Sequence, residues 1–180
     1  MSDYAQRFIA HLESLHEHDR AALAALRRSL GFAPGAYPPA YPYVEPFVAA
    51  ERHAQDASRP ALYVVAGLYA THPRQAGRSL ASSLGELMRR RDSAGIEQRF
   101  IALLGADAEN LAIYLRRVVS LLAAGDLALD YAALLEDLNR WLDPRIDPER
   151  RDLVRQRWAR DFYRALAAPA SERAPTPGNA

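Results

Sequence analysis

The 180-residue chain contains no cysteine and no lysine. Without thiols it can build no disulfide framework, no thiolate zinc site and no cysteine nucleophile. All 23 of its Lys+Arg positions are therefore arginine. A guanidinium binds phosphate as a planar fork and stacks on bases, which an ammonium cannot do. An alanine- and arginine-rich composition is also what a GC-rich genome imposes on any protein, so only the placement of the arginines carries information. Long apolar runs are missing too, and no window approaches the roughly 18 apolar residues that would span a bilayer. The first fifteen residues are broken by Asp3, Arg7, His11 and Glu13 and lack the apolar core of a signal peptide. The expected location is the cytoplasm, with no membrane contact.

What is present is helical periodicity almost everywhere, without β-branched alternation to compete with it. The expectation is an all-α fold, a single-domain helical bundle of about eight to nine helices. It should occupy residues 1–168, with a disordered tail from 169 to 180. Phe8, Ile9, Leu12 and Leu15 form one apolar stripe; after the N-cap candidate Asp19, Leu23, Leu26 and Leu30 form the next. The segment from Ala33 to Pro46 holds five prolines and three tyrosines and reads as a connector or surface loop. Helices are expected over Val44 to His53 and Pro60 to Thr71, the second apolar all round and so a core helix. Further helices follow from Ser79 to Arg91, from Gly95 to Leu104, from Ala108 to Ala123 and from Tyr131 to Trp141. The last starts at Pro148.

Catalytic constellations are not found. No G-x-S-x-G elbow positions a nucleophile. His16 and His18 lie two apart, which on a helix sends them to different faces, and they read as a solvated turn without a metal. Glu136 and Asp137 read as a solvated helix face. Pro34-Gly35 and Ser83-Leu84-Gly85 are too sparse in glycine for a phosphate loop. Trp141, Trp158, Phe162 and Tyr163 read as packing residues. Neither an enzyme nor a cofactor is expected.

Arginines recur on helices that also have a clear apolar face. At about 100° per residue, Arg116 and Arg117 flank the side opposite Leu111, Leu115 and Val118. Arg28 points away from the Leu23, Leu26 and Leu30 stripe, whereas Arg27 sits at its edge and can snorkel along the core. Arg89, Arg90 and Arg91 end one helix, where cations complement the macrodipole, and Arg99 lies one turn into the next. Glu86 is the only acid between Arg74 and Arg91. Such an excess favours a polyanion. Alternatively, each cluster is a solvated face paired with Glu97, Asp107, Glu109 or Glu136.

The order of segments is more specific than any one of them. Ala25-Leu26-Arg27-Arg28-Ser29 precedes the Tyr/Pro connector that ends in Val44-Glu45-Pro46-Phe47, and Ala61 to Pro73 follows. Glu97 to Leu104, Leu115 to Leu122, Asp130 to Leu138 and Trp158 to Tyr163 complete the series. From about Tyr4 to Leu166 it resembles the CasB family, the small subunit of the type I-E CRISPR surveillance complex called Cascade. The resemblance implies a non-catalytic helical subunit that holds nucleic acid while guide RNA pairs with target DNA and the other strand is displaced. It also implies neighbours: the large subunit CasA, the backbone subunit CasC and a second copy of the chain. Arg27, Arg28, Arg99, Arg116 and Arg117 lie inside the matching segments and are the expected basic surface; charge density adds Arg89, Arg90 and Arg91. The alternative is a structural adaptor, with arginine faces salt-bridged to protein neighbours and exposed tyrosines from Tyr37 to Tyr43 as a docking loop.

Overall fold

The computed structural model describes residues 2–48 and 57–169, and among them it contains nine α-helices and no strand. Helix α1 (Asp3–His18) starts at Ser2, whose hydroxyl accepts the Ala5 amide; α2 (Arg20–Ser29) starts at Asp19, whose carboxylate accepts the Ala22 amide. Each cap satisfies an amide that the first turn leaves without a helical partner. Phe8, Ile9 and Leu12 on α1 and Leu23 and Leu26 on α2 are buried. His16 and His18 are exposed in the last turn of α1.

The proline-rich connector is ordered by three single turns. These are a 3-10 turn at Pro38–Ala40, α3 (Tyr41–Val44), and a second 3-10 turn at Glu45–Phe47. Pro38, Pro42 and Pro46 occupy the first two positions of these turns, where a missing amide costs no hydrogen bond. The helix expected over Val44 to His53 is thus corrected at its start, because the chain leaves helical geometry at Val48; residues 49–53 lie outside the described residues. A second correction concerns the tyrosines. Tyr37, Tyr41 and Tyr43 pack half-buried against the core and do not form an exposed docking loop.

Helix α4 (Ser58–Thr71) fastens that connector. Its Arg59 donates from Nε to Glu45 Oε1 at 3.0 Å, and the Tyr63 hydroxyl donates to the same oxygen at 2.6 Å. Burial acts to raise the Glu45 pKa, but the Tyr63 and Arg59 donors outweigh it and hold the carboxyl below its usual value. Burial and the Glu45 charge push the Tyr63 phenol far up.

Residues 61–70 of α4 are all buried, so this helix is the centre of the core. Helix α2 packs on one side of it, close enough at Gly67 that a methyl group there would strike the Leu30 side chain. Helix α8 (Tyr131–Leu142) packs on another, with Tyr69 and Tyr131 edge to face at 5.2 Å and the Tyr131 hydroxyl donating to the His72 carbonyl at 2.6 Å.

Helices α5 (Leu80–Arg91) and α9 (Pro148–Ala167) lie along each other. The approach is closest at Gly85, where any Cβ would run into the Phe162 carbonyl. Asp147 caps α9 and Pro148 is its first residue, as the sequence predicts. Trp158 and Phe162 of α9 are buried, and Phe162 stacks on Phe100 of α6 (Ala94–Leu104) with ring centroids 4.2 Å apart. Helix α7 (Leu111–Ala124) packs against α6.

Two further expectations are corrected here. Asp137 is buried: its Oδ2 accepts the Trp158 indole N–H at 2.7 Å and its other oxygen accepts Arg157, so it is a structural acceptor and not a solvated carboxylate. Tyr163 is 44% exposed on the outside of α9, with its hydroxyl donating to Glu97 at 2.8 Å. Of the tail expected from 169 to 180, residues 170–180 lie outside the described residues.

Candidate nucleic-acid interface

The candidate interface is built by α6 and α7. On α6, Ile96, Phe100 and Leu103 recur at helical spacing and are buried, which turns Arg99 outward. On α7, Leu111, Leu115, Val118, Val119 and Leu122 are buried, and Ile113, Arg116, Arg117 and Ser120 take the exposed face. Packing the two helices side by side brings Arg99, Arg116 and Arg117 to the walls of one open groove of about 440 Å³, shared with Ile113, Ser120 and Leu121.

No carboxylate among the described residues neutralises these three arginines. Arg99 donates from Nη1 to the Gly95 carbonyl at 2.8 Å, and the Arg117 guanidinium lies over the Tyr114 ring at 5.4 Å. The acids that might have paired with them are engaged elsewhere or point away. Glu97 accepts the Tyr163 hydroxyl, Asp107 accepts the amide and side chain of Asn110, and Glu136 accepts the Ser2 amide. Glu109 lies toward a different groove. Three closely placed guanidiniums without a counter-charge are a standing electrostatic cost, which an incoming anion relieves.

The other five candidates fall into different environments. Arg28 is exposed on α2, as its helical phase requires, while Arg27 donates from Nε and Nη2 to the Ala70 carbonyl at 3.0 and 2.7 Å. That carbonyl belongs to the last turn of α4, so Arg27 closes the end of a neighbouring helix. Arg91 does the same for α7, donating to the Ala124 carbonyl at 2.6 Å. Arg90 is salt-bridged to Glu86, which also takes Arg78 on its second oxygen. Arg89 lines a separate pocket between α5 and α9, with Arg78 and Arg164 beside Glu86 and Asp161.

Sequence reasoning missed Ile113, Tyr114 and Ser120 as groove neighbours of the arginines. Their spacing of three or four residues from Arg116 or Arg117 on α7 was the available signal. The pairing of α6 with α7 across the groove had no sequence signal.

The described residues contain no group of three or more His, Asp or Glu side chains arranged to hold a metal, and no helix long and apolar enough to cross a membrane. The buried His72 meets the Leu127 carbonyl through Nε2 at 2.8 Å, and His11 meets the Tyr43 carbonyl at 3.1 Å. Both imidazoles serve the fold.

Comparison with known proteins agrees with the order of segments. The model of the family "CRISPR-associated protein Cse2" matches residues 22–163. A CRISPR-associated protein Cse2 from Thermus thermophilus is 45% identical over 167 residues, covering 91% of this chain and 92% of its own length. The crystal structure of CasB from M. ruber superposes with a TM-score of 0.75 at 34% identity, covering 93% of this chain and 96% of that one. A chain of a solved CRISPR RNA-guided surveillance complex does so with a TM-score of 0.74 at 28% identity, covering 91% and 93%. The chain therefore belongs to the Cse2 family of CRISPR-associated proteins, whose crystal structures also carry the name CasB.

Proposed function

We propose that this chain is the non-catalytic small subunit of an RNA-guided CRISPR surveillance complex of the cytoplasm. There it holds nucleic acid by the backbone, without reading sequence, and so stabilises the guide RNA–target DNA pairing and the displaced strand. The observation that carries this reading is the convergence of Arg99, Arg116 and Arg117, from two helices, on one groove without a counter-charge. Family membership and the likeness to a chain of an RNA-guided complex supply the context. In such complexes base pairing reads sequence, and the protein has only to support backbone charge. CasA, CasC and a second copy of the chain are the protein neighbours this reading entails. Arg28 extends the basic surface on α2, and Arg27 and Arg89 to Arg91 contribute to its field while also serving the fold.

The test is salt dependence. A single strand whose phosphates meet three arginines loses about tenfold in affinity between about 50 and about 150 mM salt, at roughly 0.7 in log–log slope per phosphate. The double substitution of Arg116→Ala and Arg117→Ala should lower that slope by about 1.4. An affinity indifferent to salt, or to the double substitution, contradicts the function. If those substitutions abolish assembly and leave nucleic-acid affinity intact, the chain is an adaptor.

A further inference from the structure

Next to the arginine groove lies a second, apolar one of about 570 Å³, between the end of α2, the start of α4, the start of α7 and the end of α8. Phe32, Pro34, Pro60, Val64, Leu111 and Ile113 are among its walls, and Glu109 is its one carboxylate. Five large apolar side chains are exposed among the described residues, and two of them, Phe32 and Ile113, each 51% exposed, belong to this groove. Exposed apolar surface gathered in a concavity marks a place for a ligand.

The two grooves adjoin. Ile113 lines both. Along α7, Ile113 lies three and four residues before Arg116 and Arg117, and Ser120 follows them at four and three, so one helix face runs from Ile113 into the arginine groove, while Glu109 sits in the turn just before the helix. At about 1.5 Å of rise per residue, Ile113 stands roughly 5 Å before Arg116 along that face, within the reach of one nucleotide from phosphate to base. At the rim, Phe32 stacks on Tyr37 with centroids 4.7 Å apart and planes 23° apart, so Tyr37 holds the ring in place while half of its surface stays open.

The geometry points to a nucleobase as the occupant: an unpaired base of the strand whose phosphates lie on Arg99, Arg116 and Arg117 turns into the apolar groove, against Phe32 and Ile113. This inference rests on the backbone-holding function proposed above and adds a base-accepting pocket to it. The arginine groove carries the cations for a phosphate, and the neighbouring groove, which has none, carries the exposed aromatic ring. A nucleotide of a single strand has both parts, joined closely enough to reach both grooves across Ile113. Apolar walls accept the face of any base, and Glu109 at the rim accepts a hydrogen bond from an exocyclic amine. A base held in a duplex stack is not available to such a pocket, so the strand it takes is single.

The test compares two 20-mers with the same phosphates, oligodeoxyadenylate and an abasic strand, on the full-length protein. Stacking one base on an aromatic side chain raises affinity by about thirtyfold at mid-range, so the abasic strand should bind about thirtyfold more weakly with an unchanged salt slope. Phe32→Ala should bring oligodeoxyadenylate down to the abasic level and leave abasic binding as it was, whereas Phe32→Trp should restore the difference. A 2-aminopurine placed in the strand should be quenched by the wild-type protein and not by Phe32→Ala. Equal binding of the two strands, as expected if a protein side chain fills the groove, overturns the pocket and leaves the backbone function standing. Failure of either strand to bind overturns both.

Discussion

Arg27 and Arg28 are neighbours in sequence with opposite employment. Arg27 makes two charge-assisted hydrogen bonds to the Ala70 carbonyl, and Arg28 reaches into solvent. Arg27→Ala should therefore cost about 1 kcal/mol of stability, a value set by bonds to a charged donor on a solvent-facing side chain. Arg28→Ala should stay within about 0.5 kcal/mol, as surface substitutions do, while lowering nucleic-acid affinity. Thermal unfolding and strand binding, measured on both variants, separate the two roles. Glu45 adds a pH-dependent case. Its carboxyl is held below its usual value by Tyr63 and Arg59 against the opposing effect of burial, so ionising it favours the folded chain. That stabilisation is present above the usual carboxyl value and fades as the pH falls through the lower folded one. Glu45→Gln should melt below wild type at neutral pH, with the gap closing in acid. None of these assignments was legible in the sequence beyond the helical phase of Arg27 and Arg28. Whether a guanidinium meets a carbonyl or water depends on what a distant helix brings beside it.

At the scale of elements, periodicity and caps carried most of the reading. Asp19 and Pro148 mark helix starts as expected, and the all-apolar face of α4 places it at the centre of the core. The misreading at Val44 has a physical source: apolar residues there have helical spacing, but Pro46 and the turns around it permit only single turns. Asp137 misled for a different reason, since its buried acceptor role requires the Trp158 indole, which arrives from α9 across 21 residues of sequence. Close approach between elements yields a sharp prediction. Gly85→Ala should push α9 off α5 and destabilise the protein by about 1–3 kcal/mol, the usual cost of overpacking. Gly77→Ala, where a methyl meets nothing within 4 Å, is the control. Unfolding midpoints of the two variants decide the matter.

For the whole molecule, the proposed binding surface and the core use the same helices from opposite sides. Helices α6 and α7 turn their leucines and phenylalanine inward and their free arginines outward, so charge can be removed from the groove without touching packing. The double substitution of Arg116 and Arg117 should accordingly leave the circular dichroism spectrum and melting temperature close to wild type while strand binding falls. The candidate site was legible as a list of arginines and illegible as a place, because sequence gives each helix its outward face but not which outward faces meet. The packing of α9 has a consequence for how the protein comes into being. Trp158 and Phe162 fill the core beside Trp141, Phe100 and α5, so a nascent chain that has made α1 to α8 still presents an open apolar cleft. It must wait for segments about 80 residues downstream of α5 before that cleft can close, which makes completion of the core a late event in synthesis.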